Sequence, residues 1–297
     1  MEERRERLIM TYILYNPNAG NGKCKSDVDK LRDMYPDAEF CDMTEIASYR
    51  DFLSVLDNED RLIICGGDGT LNRLVNDIGD MTIPCKVYYY AVGSGNDFAH
   101  DIGRVRADKP DFEINKYLCN LPTVSINGED KYFLNGVGYG IDGYCCEEGD
   151  RIRAESPEKK IDYTGIAIKG LLFKYKPTSA TVTVDGVVHK YKKVWIAPTM
   201  NGRFYGGGMM PTPDQDRLSK DNKLSCMVFH DSGKLKTLMI FPSIFKGEHV
   251  KKKKHVDVFS GREISVEFDS PRALQIDGET VLGVTKYTAK AKKEVLV

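Results

Sequence analysis

The amino-acid sequence predicts an α/β N-terminal half built on a parallel sheet, followed by an antiparallel β-rich half. Over the first ~120 residues short apolar runs alternate with helix-like stretches, as βαβ units do. Beyond about Pro122 the runs follow one another directly, parted by Gly, Asn or Pro turns. Three glycine-rich turns interrupt the first half, each placed immediately after an apolar run.

Residues 9–15 (IMTYILY) read as the first strand, closed by Asn16-Pro17. Residues 61–65 (RLIIC) read as a second strand ending at Gly66-Gly67, and a helix must follow at once. Leu71, Leu74, Val75 and Ile78 fall at i, i+3, i+4 and i+7, one apolar stripe of helical period. Residues 86–92 (KVYYYAV) form a third strand, too short and too rich in tyrosine for a helix. In the second half the strand candidates are TVSIN, KYFLNGVG, ATVTVDG, YKKVWIAPT, KLSCMVF, EISVEF and ALQIDGE. Helices are expected near 163–173 and 235–245. No repeat or low-complexity linker appears, so the expected domains are 1–122 and 123–285. The tail 286–297, ending in VLV, is expected to return to the first domain as a strand.

Composition narrows the function. The chain has 297 residues, 41% of them hydrophobic, enough to bury a core. Its 43 Lys+Arg nearly balance its 44 Asp+Glu, which argues against a nucleic-acid binder. No run approaches the ~18 apolar residues of a membrane span, and the charged N-terminus lacks a signal-peptide cleavage site. Eight scattered cysteines, none in a CxxC pair, read as reduced thiols of a cytoplasmic protein.

The glycine-rich turns carry the chemistry. The first, NPNAGNGK (Asn16 to Lys23), leaves backbone amides free to face a cavity. It is not a Walker A loop, which needs glycine at Pro17 and Ser or Thr at Cys24. The second, Gly66-Gly67-Asp68-Gly69-Thr70, joins a strand to a helix, where unpaired N–H groups and the helix dipole favour phosphate. Thr70 is placed to cap that helix or bond a phosphate oxygen. Asp68 would repel a bare phosphate, and a magnesium ion is the natural reason for its presence; capping of the helix is the other reading. The third is Gly93-Ser94-Gly95-Asn96-Asp97-Phe98-Ala99, in which Ser94, Asn96 and the amides could hold a nucleotide and Asp97 adds a second carboxylate. Turns at consecutive strand ends lie on one sheet edge, where ligands of α/β sheets bind.

NPNAGNGK, GGDGTLNRLVND and GSGNDFA, in this order, resemble the diacylglycerol kinase catalytic-domain family, which groups diacylglycerol, sphingosine and ceramide kinases with bacterial soluble lipid kinases. The resemblance continues through NGRFYGGGM (Asn201 to Met209), Pro213-Asp214, Asp221-Asn-Lys-Leu224 and Asp277-Gly278-Glu279. NAD kinases share the GGDGT turn but lack the GSGNDFA and GGGM combination.

The resemblance implies a two-domain, ATP- and Mg2+-dependent lipid kinase whose second domain is β-sandwich-like. Its acceptor would be a hydroxyl of diacylglycerol or a related lipid, met at the inner membrane surface. By position it puts nucleotide contacts on Asn16, Thr44, Gly66, Gly67, Asp68, Gly69, Thr70, Ser94, Gly95, Asn96 and Asp97. The base falls in the pair Asp277/Glu279, and a further metal site falls on Asp221 with the carbonyls of Leu218 and Lys223. No nucleic acid or transmembrane segment is implied; a homodimer is the candidate assembly. The chain departs from the family at Ser125, where bacterial members often carry Asp, at Asn222 in place of glycine, at His100 in place of a common Arg, and in the insertion 215–220. Lys251 to Lys254 form a like-charge run that fits either anionic headgroups or plain solvent. Two other functions stay open: a kinase for NAD or another soluble alcohol, and a silent ATP- and lipid-binding module.

Overall fold

The computed structural model describes residues 9–22, 24–104, 109–119, 121–156 and 161–292, which divide into two compact units. The first extends to Cys119, except that His100–Ile102 cluster with the second.

In the first unit strands and helices alternate: β1 (Thr11–Tyr15), α1 (Cys24–Met34), β2 (Glu39–Asp42), α2 (Tyr49–Ser54), β3 (Arg61–Gly66), α3 (Asp68–Ile78) and β4 (Lys86–Ala91). The four strands form a parallel sheet in the order β2-β1-β3-β4. Parallel neighbours require crossovers, and helices on the faces then bury the strands. Leu62, Ile63 and Ile64 are accordingly sealed from solvent. The expected stripe Leu71, Leu74, Val75 and Ile78 lies buried along α3. Two short helices, α4 (Asp97–Asp101) and α5 (Asn115–Leu118), follow β4.

The second unit comprises β5 (Thr123–Ile126), β6 (Glu129–Tyr132), β7 (Gly136–Tyr139), α6 (Ile141–Glu155), α7 (Tyr163–Lys169), β8 (Thr178–Val184), β9 (Val187–Val194), β10 (Thr199–Met200), β11 (Leu224–Phe229), α8 (Lys234–Ile240), β12 (Val256–Gly261), β13 (Glu263–Ile276) and β14 (Glu279–Lys290). Helix α7 runs on into a π-helical turn, Gly170–Lys174, and α8 into a 3-10 turn, Phe241–Lys246. The strands form one ten-stranded sheet, β12-β11-β10-β7-β13-β14-β5-β6, with β8 and β9 added on β13. Every pairing is antiparallel. Tyr139 stacks on Phe268 at 4.1 Å in its core.

Several expectations need correction. The run KYFLNGVG is not one strand: Phe133, Leu134 and Asn135 leave the sheet between β6 and β7. EISVEF and ALQIDGE are one strand, β13, which carries Pro271 where its register with β14 shifts. Proline lacks a ladder donor and is tolerated at such an irregularity. The tail does not return to the first unit as expected: up to Lys290 it belongs to β14, paired with β13 and β5. Tyr287 and Ala289, two apart and both fully buried, hold it there; residues 293–297 lie outside the described residues. Helix α6 had no clear apolar stripe to announce it. Its buried positions include Asp142, Gly143, which meets the Ala273 main chain, and Gly149, which meets the Tyr163 ring.

Candidate active site

The first unit brings its three glycine-rich turns to neighbouring strand tips. Tyr15 pairs with Cys65 and Gly66 with Ala91, so β1, β3 and β4 end side by side. The Asn16 amide donates to the Cys65 carbonyl at 3.1 Å, and that of Val92 to Gly66 at 2.9 Å. Cys24 Sγ lies 3.6 Å from Cys65 Sγ, seating the start of α1 against β3. Lys23 lies outside the described residues.

Closest is the approach of the second and third turns. A Cβ on Gly67 would meet Gly93 Cα at 2.9 Å, and one on Gly93 would meet Gly67 Cα at 2.6 Å. Only glycine at both positions lets the main chains touch. Gly66 is likewise required, since a Cβ there would stand 2.5 Å from Thr70. Above Gly69 the space is open, with nothing within 4 Å of an added Cβ.

Side chains then brace the array. Asn16 Nδ2 donates to Thr70 Oγ1 at 3.0 Å, and the Gly67 amide approaches the same oxygen at 3.4 Å. Asn16 Oδ1 accepts from the Asn18 amide, fixing its own turn. Asp68 ties the second turn to the third: its carboxylate accepts from the amides of Asp97 at 2.9 Å and Phe98 at 2.8 Å. Phe98 anchors the third turn from below, packed edge-on against Tyr89 and Tyr117. Burial, then the nearby Asp68, Cys65 and Asp97, pushes the Tyr89 hydroxyl well above its ordinary range. That hydroxyl donates to the Gly66 carbonyl.

Asn96 adopts a left-handed backbone, φ 53°, and its Nδ2 donates to the Gly93 carbonyl. Its Oδ1 is buried with no partner among the described residues, an acceptor that a donor-bearing ligand would satisfy. Ser94 is exposed and Gly95 half-buried beside it, and Asp97 is buried at the start of α4. Thr44 stands apart, beyond the tip of edge strand β2, with its amide and hydroxyl both donating to Asp42 Oδ1. Asp68 uses both carboxylate oxygens to join the turns, and open space lies over Gly69 at the N-terminus of α3.

In the second unit Asp277 and Gly278 form the two-residue turn between β13 and β14, both at positive φ (48° and 96°), as an Asp-Gly hairpin turn requires. The Asp277 carboxylate accepts from three main-chain amides, those of Leu134, Asn135 and Gly136. It clamps the segment between β6 and β7, which explains why that segment leaves the sheet. Glu279 begins β14 and is exposed.

The same segment is held from its other side. Arg217, nearly buried, donates to the Leu134 carbonyl and to Asn135 Oδ1 and forms an ion pair with Asp101. Burial alone would raise the Asp101 carboxyl, but Arg217 and Arg203 outweigh it and hold it below its usual range. Asn201 Nδ2 also donates to the Leu134 carbonyl. Further along NGRFYGGGM, Tyr205 and Met209 exchange main-chain hydrogen bonds at 3.0 Å around Gly206, Gly207 and Gly208. These three lie at φ 62°, 80° and 104°, so the glycine run builds a hairpin that side chains would strain.

Sequence reasoning missed Asp142. It is buried at the start of α6, and burial pushes its carboxyl up to about 6 despite donors at Gly143, Tyr205 and Gln275. Tyr205 Oη donates to its Oδ2 at 3.1 Å, while Oδ1 has no partner among the described residues. Gln275 in turn accepts from the Gly278 amide at 2.7 Å. The available signals were Tyr205 inside the NGRFYGGGM segment and Gln275 two residues before Asp277.

Asp221, Leu218 and Lys223 lie in the loop that precedes β11. Asp221 is exposed and carries the Lys223 ammonium at 3.4 Å. The Lys223 carbonyl accepts from Gln215 Nε2, and Leu218 uses its amide on Asp216. Among the described residues no group of three or more His, Cys, Asp or Glu could hold a metal. The Ser219 amide donates to the Asp216 carbonyl and the Asn222 amide to that of Ser219, with Asn222 at φ 48°.

The chain matches two family models: the diacylglycerol kinase catalytic domain over residues 10–119, and the YegS C-terminal NAD kinase beta sandwich-like domain over residues 135–296. A diacylglycerol kinase of Mycobacterium tuberculosis is 26% identical over 204 residues, 67% of this chain and 64% of that protein; the matched part therefore spans less than two thirds of that relative. The Bacillus subtilis protein named "Putative lipid kinase YtlR" is 23% identical over 245 residues, 76% of each chain. The crystal structure of a "putative diacylglycerol kinase" from Bacillus anthracis Sterne superposes with a TM-score of 0.67 at 20% identity, covering 99% of this chain and 95% of that one. That likeness concerns the fold. With its strand-tip glycine turns, its DGE hairpin and both models in sequence order, the chain belongs to the diacylglycerol kinase catalytic-domain family.

Proposed function

We propose that the chain is an ATP-dependent kinase for a lipid hydroxyl, diacylglycerol or a related lipid being the acceptor. The observation that carries this reading is the contact of Gly67 with Gly93. It sets two glycine-rich turns against each other at the carboxyl edge of a parallel sheet, where main-chain amides favour a polyphosphate. Among the described residues no main-chain hydrogen bond engages the amides of Gly93, Ser94 or Gly95. The Thr70 hydroxyl, accepting twice, keeps its proton to donate. The buried Asn96 Oδ1 supplies the acceptor that a ribose hydroxyl or adenine amino group would use.

Asp68 and Asp97 would hold Mg2+ through water, and when bound the ion spreads the charge of the phosphoryl group in transfer. The chain's own part is positioning: Asp68 fixes the two turns against each other, so the donors need no rearrangement on binding. In the second unit we assign the proton of the acceptor hydroxyl to Glu279. Asp277 already accepts three amides and holds the turn that presents Glu279. The reading has the chain working from the cytoplasm on lipid at the inner membrane face. No helix among the described residues is long and apolar enough to cross a membrane.

The test is transfer from γ-labelled ATP to a panel of diacylglycerol, sphingoid and ceramide acceptors in mixed micelles, with NAD as a soluble acceptor. Label on a lipid hydroxyl supports the reading. Label on NAD alone gives the reaction to a soluble alcohol, and ATP binding without any transfer makes the chain a binding module; either overturns it.

A further inference from the structure

The π-helical turn that continues α7, and helix α8 with its 3-10 turn, lie against one core by their inner faces. Leu171, Tyr175, Ile240 and Ile244 share a buried cluster with Trp195, and Lys234 Nζ on α8 donates to the Leu172 carbonyl at 2.7 Å. The outer side is apolar too. Phe173 is 74% exposed, Leu235 73% and Met239 70%, the last two one helical turn apart on the same face. A surface helix normally turns polar residues outward, and one that is apolar on both sides has a partner beyond its own core.

Charge says which partner. Residues 163–177 and 233–247 contain no Asp or Glu, yet carry Lys169, Lys174, Lys176, Lys234, Lys236 and Lys246, all exposed. This local excess stands out in a chain whose net charge is −1. Protruding single apolar side chains among lysines of one sign match an anionic bilayer. The apolar tips enter the acyl boundary and the ammonium groups meet headgroup phosphates. Lys251 to Lys254 lack that combination, since Val250 is half-buried and Val256 buried.

We propose that α7, its π-helical turn and α8 form the face by which this chain docks on an anionic membrane, with Phe173, Leu235 and Met239 inserted and Lys174 and Lys236 on the headgroups. The proposal deepens the lipid-kinase reading and rests on it for its purpose. Its test is binding without ATP. Sucrose-loaded vesicles of phosphatidylcholine, alone or mixed equally with phosphatidylglycerol, are sedimented with the wild type, with Phe173→Ser/Leu235→Ser/Met239→Ser, and with Lys174→Gln/Lys236→Gln. All are exposed positions, and circular dichroism checks that each variant is folded.

The wild type is expected to partition at least ~10-fold better onto the anionic vesicles. The apolar variant loses about 10-fold or more on them, and the lysine variant about 25-fold, at roughly fivefold per lysine, with no loss on neutral vesicles. Added salt erases the lysine effect. Equal binding of wild type to both vesicles, or variants that bind as the wild type does, overturns the proposal. So does an apolar variant that dissolves a dimer while vesicle binding is unchanged, because a second copy is then the occupant. Transfer to lipid in mixed micelles is expected to survive both variants. Vesicle binding by a protein that transfers to no lipid would sink the kinase reading and leave the docking face standing.

Discussion

Gly67 and Gly93 stand so close that a Cβ on Gly93 would lie 2.6 Å from the Gly67 Cα and 2.7 Å from Asn96 Oδ1. Gly93→Ala is therefore expected to part the two turns. Overpacking of this kind costs about 1–3 kcal/mol, and ATP affinity should fall by about 10-fold or more. Gly69→Ala, at a helical position with open space above it, should raise the unfolding midpoint slightly or leave it alone while lowering nucleotide affinity. Thermal unfolding and titration with ATP separate the two, and equal behaviour of the variants contradicts the assignment.

Asp68 braces the two turns and, on the proposed reading, also serves the phosphate, and the two roles come apart by measurement. Asp68→Ala is expected to abolish turnover, because it removes a carboxylate from the phosphate edge and strands the amides of Asp97 and Phe98. An unpartnered buried donor costs about 1–3 kcal/mol. Asp68→Asn keeps one acceptor, so it should recover much of the stability but little of the activity, and should need more Mg2+. Wild-type turnover and Mg2+ dependence in Asp68→Asn would leave Asp68 a purely structural brace.

Asp277 and Glu279 should fail differently. Asp277→Asn removes an acceptor from the Leu134–Gly136 amides, lowering the unfolding temperature by the equivalent of about 1–3 kcal/mol. Glu279→Gln, at an exposed site, should leave stability unchanged and cut kcat by about 10²–10⁴-fold with little change in KM. The reverse pattern would hand the proton to Asp277.

Asp142 sets a pH dependence. Its folded carboxyl, pushed up to about 6 by burial, lies above the unfolded value of about 3.9. Between these values the folded state holds more protons, so stability falls as pH rises through the window. At pH 7 the burial costs on the order of 3 kcal/mol relative to pH below 4. Asp142→Asn should then be more stable than wild type at pH 7, and the advantage should fade by pH 4. His249 works the other way: burial lowers its ring's affinity for a proton, so acidification below about 6.5 destabilises both proteins alike. The difference between the two denaturation curves is the quantity to read; a flat difference would refute the burial effect.

Much of this was legible in the sequence. The strand-turn-helix grammar located β1, β3, β4 and α3, because parallel strands buried on both faces read as continuous apolar runs. Glycine marked the turns since nothing else lets Gly67 and Gly93 touch. Asp142 stayed hidden because a buried carboxylate leaves no periodic trace, and α6 because beyond Ile141 its buried positions are Asp142, Gly143 and Gly149. The tail was misplaced because the alternation of Tyr287 and Ala289 marks a half-buried strand without saying against which sheet. In the sequence Phe173, Leu235 and Met239 are as apolar as Leu171 and Ile240, and only their exposure separates them.

Gly206, Gly207 and Gly208 turn the NGRFYGGGM hairpin with torsions that no branched side chain tolerates. Its shape is thus written in the absence of side chains, and no surrounding contact can repair a change there. In a saturation library these three codons should be among the most depleted on the surface of the second unit, a scar of geometry where exposure alone would forecast indifference.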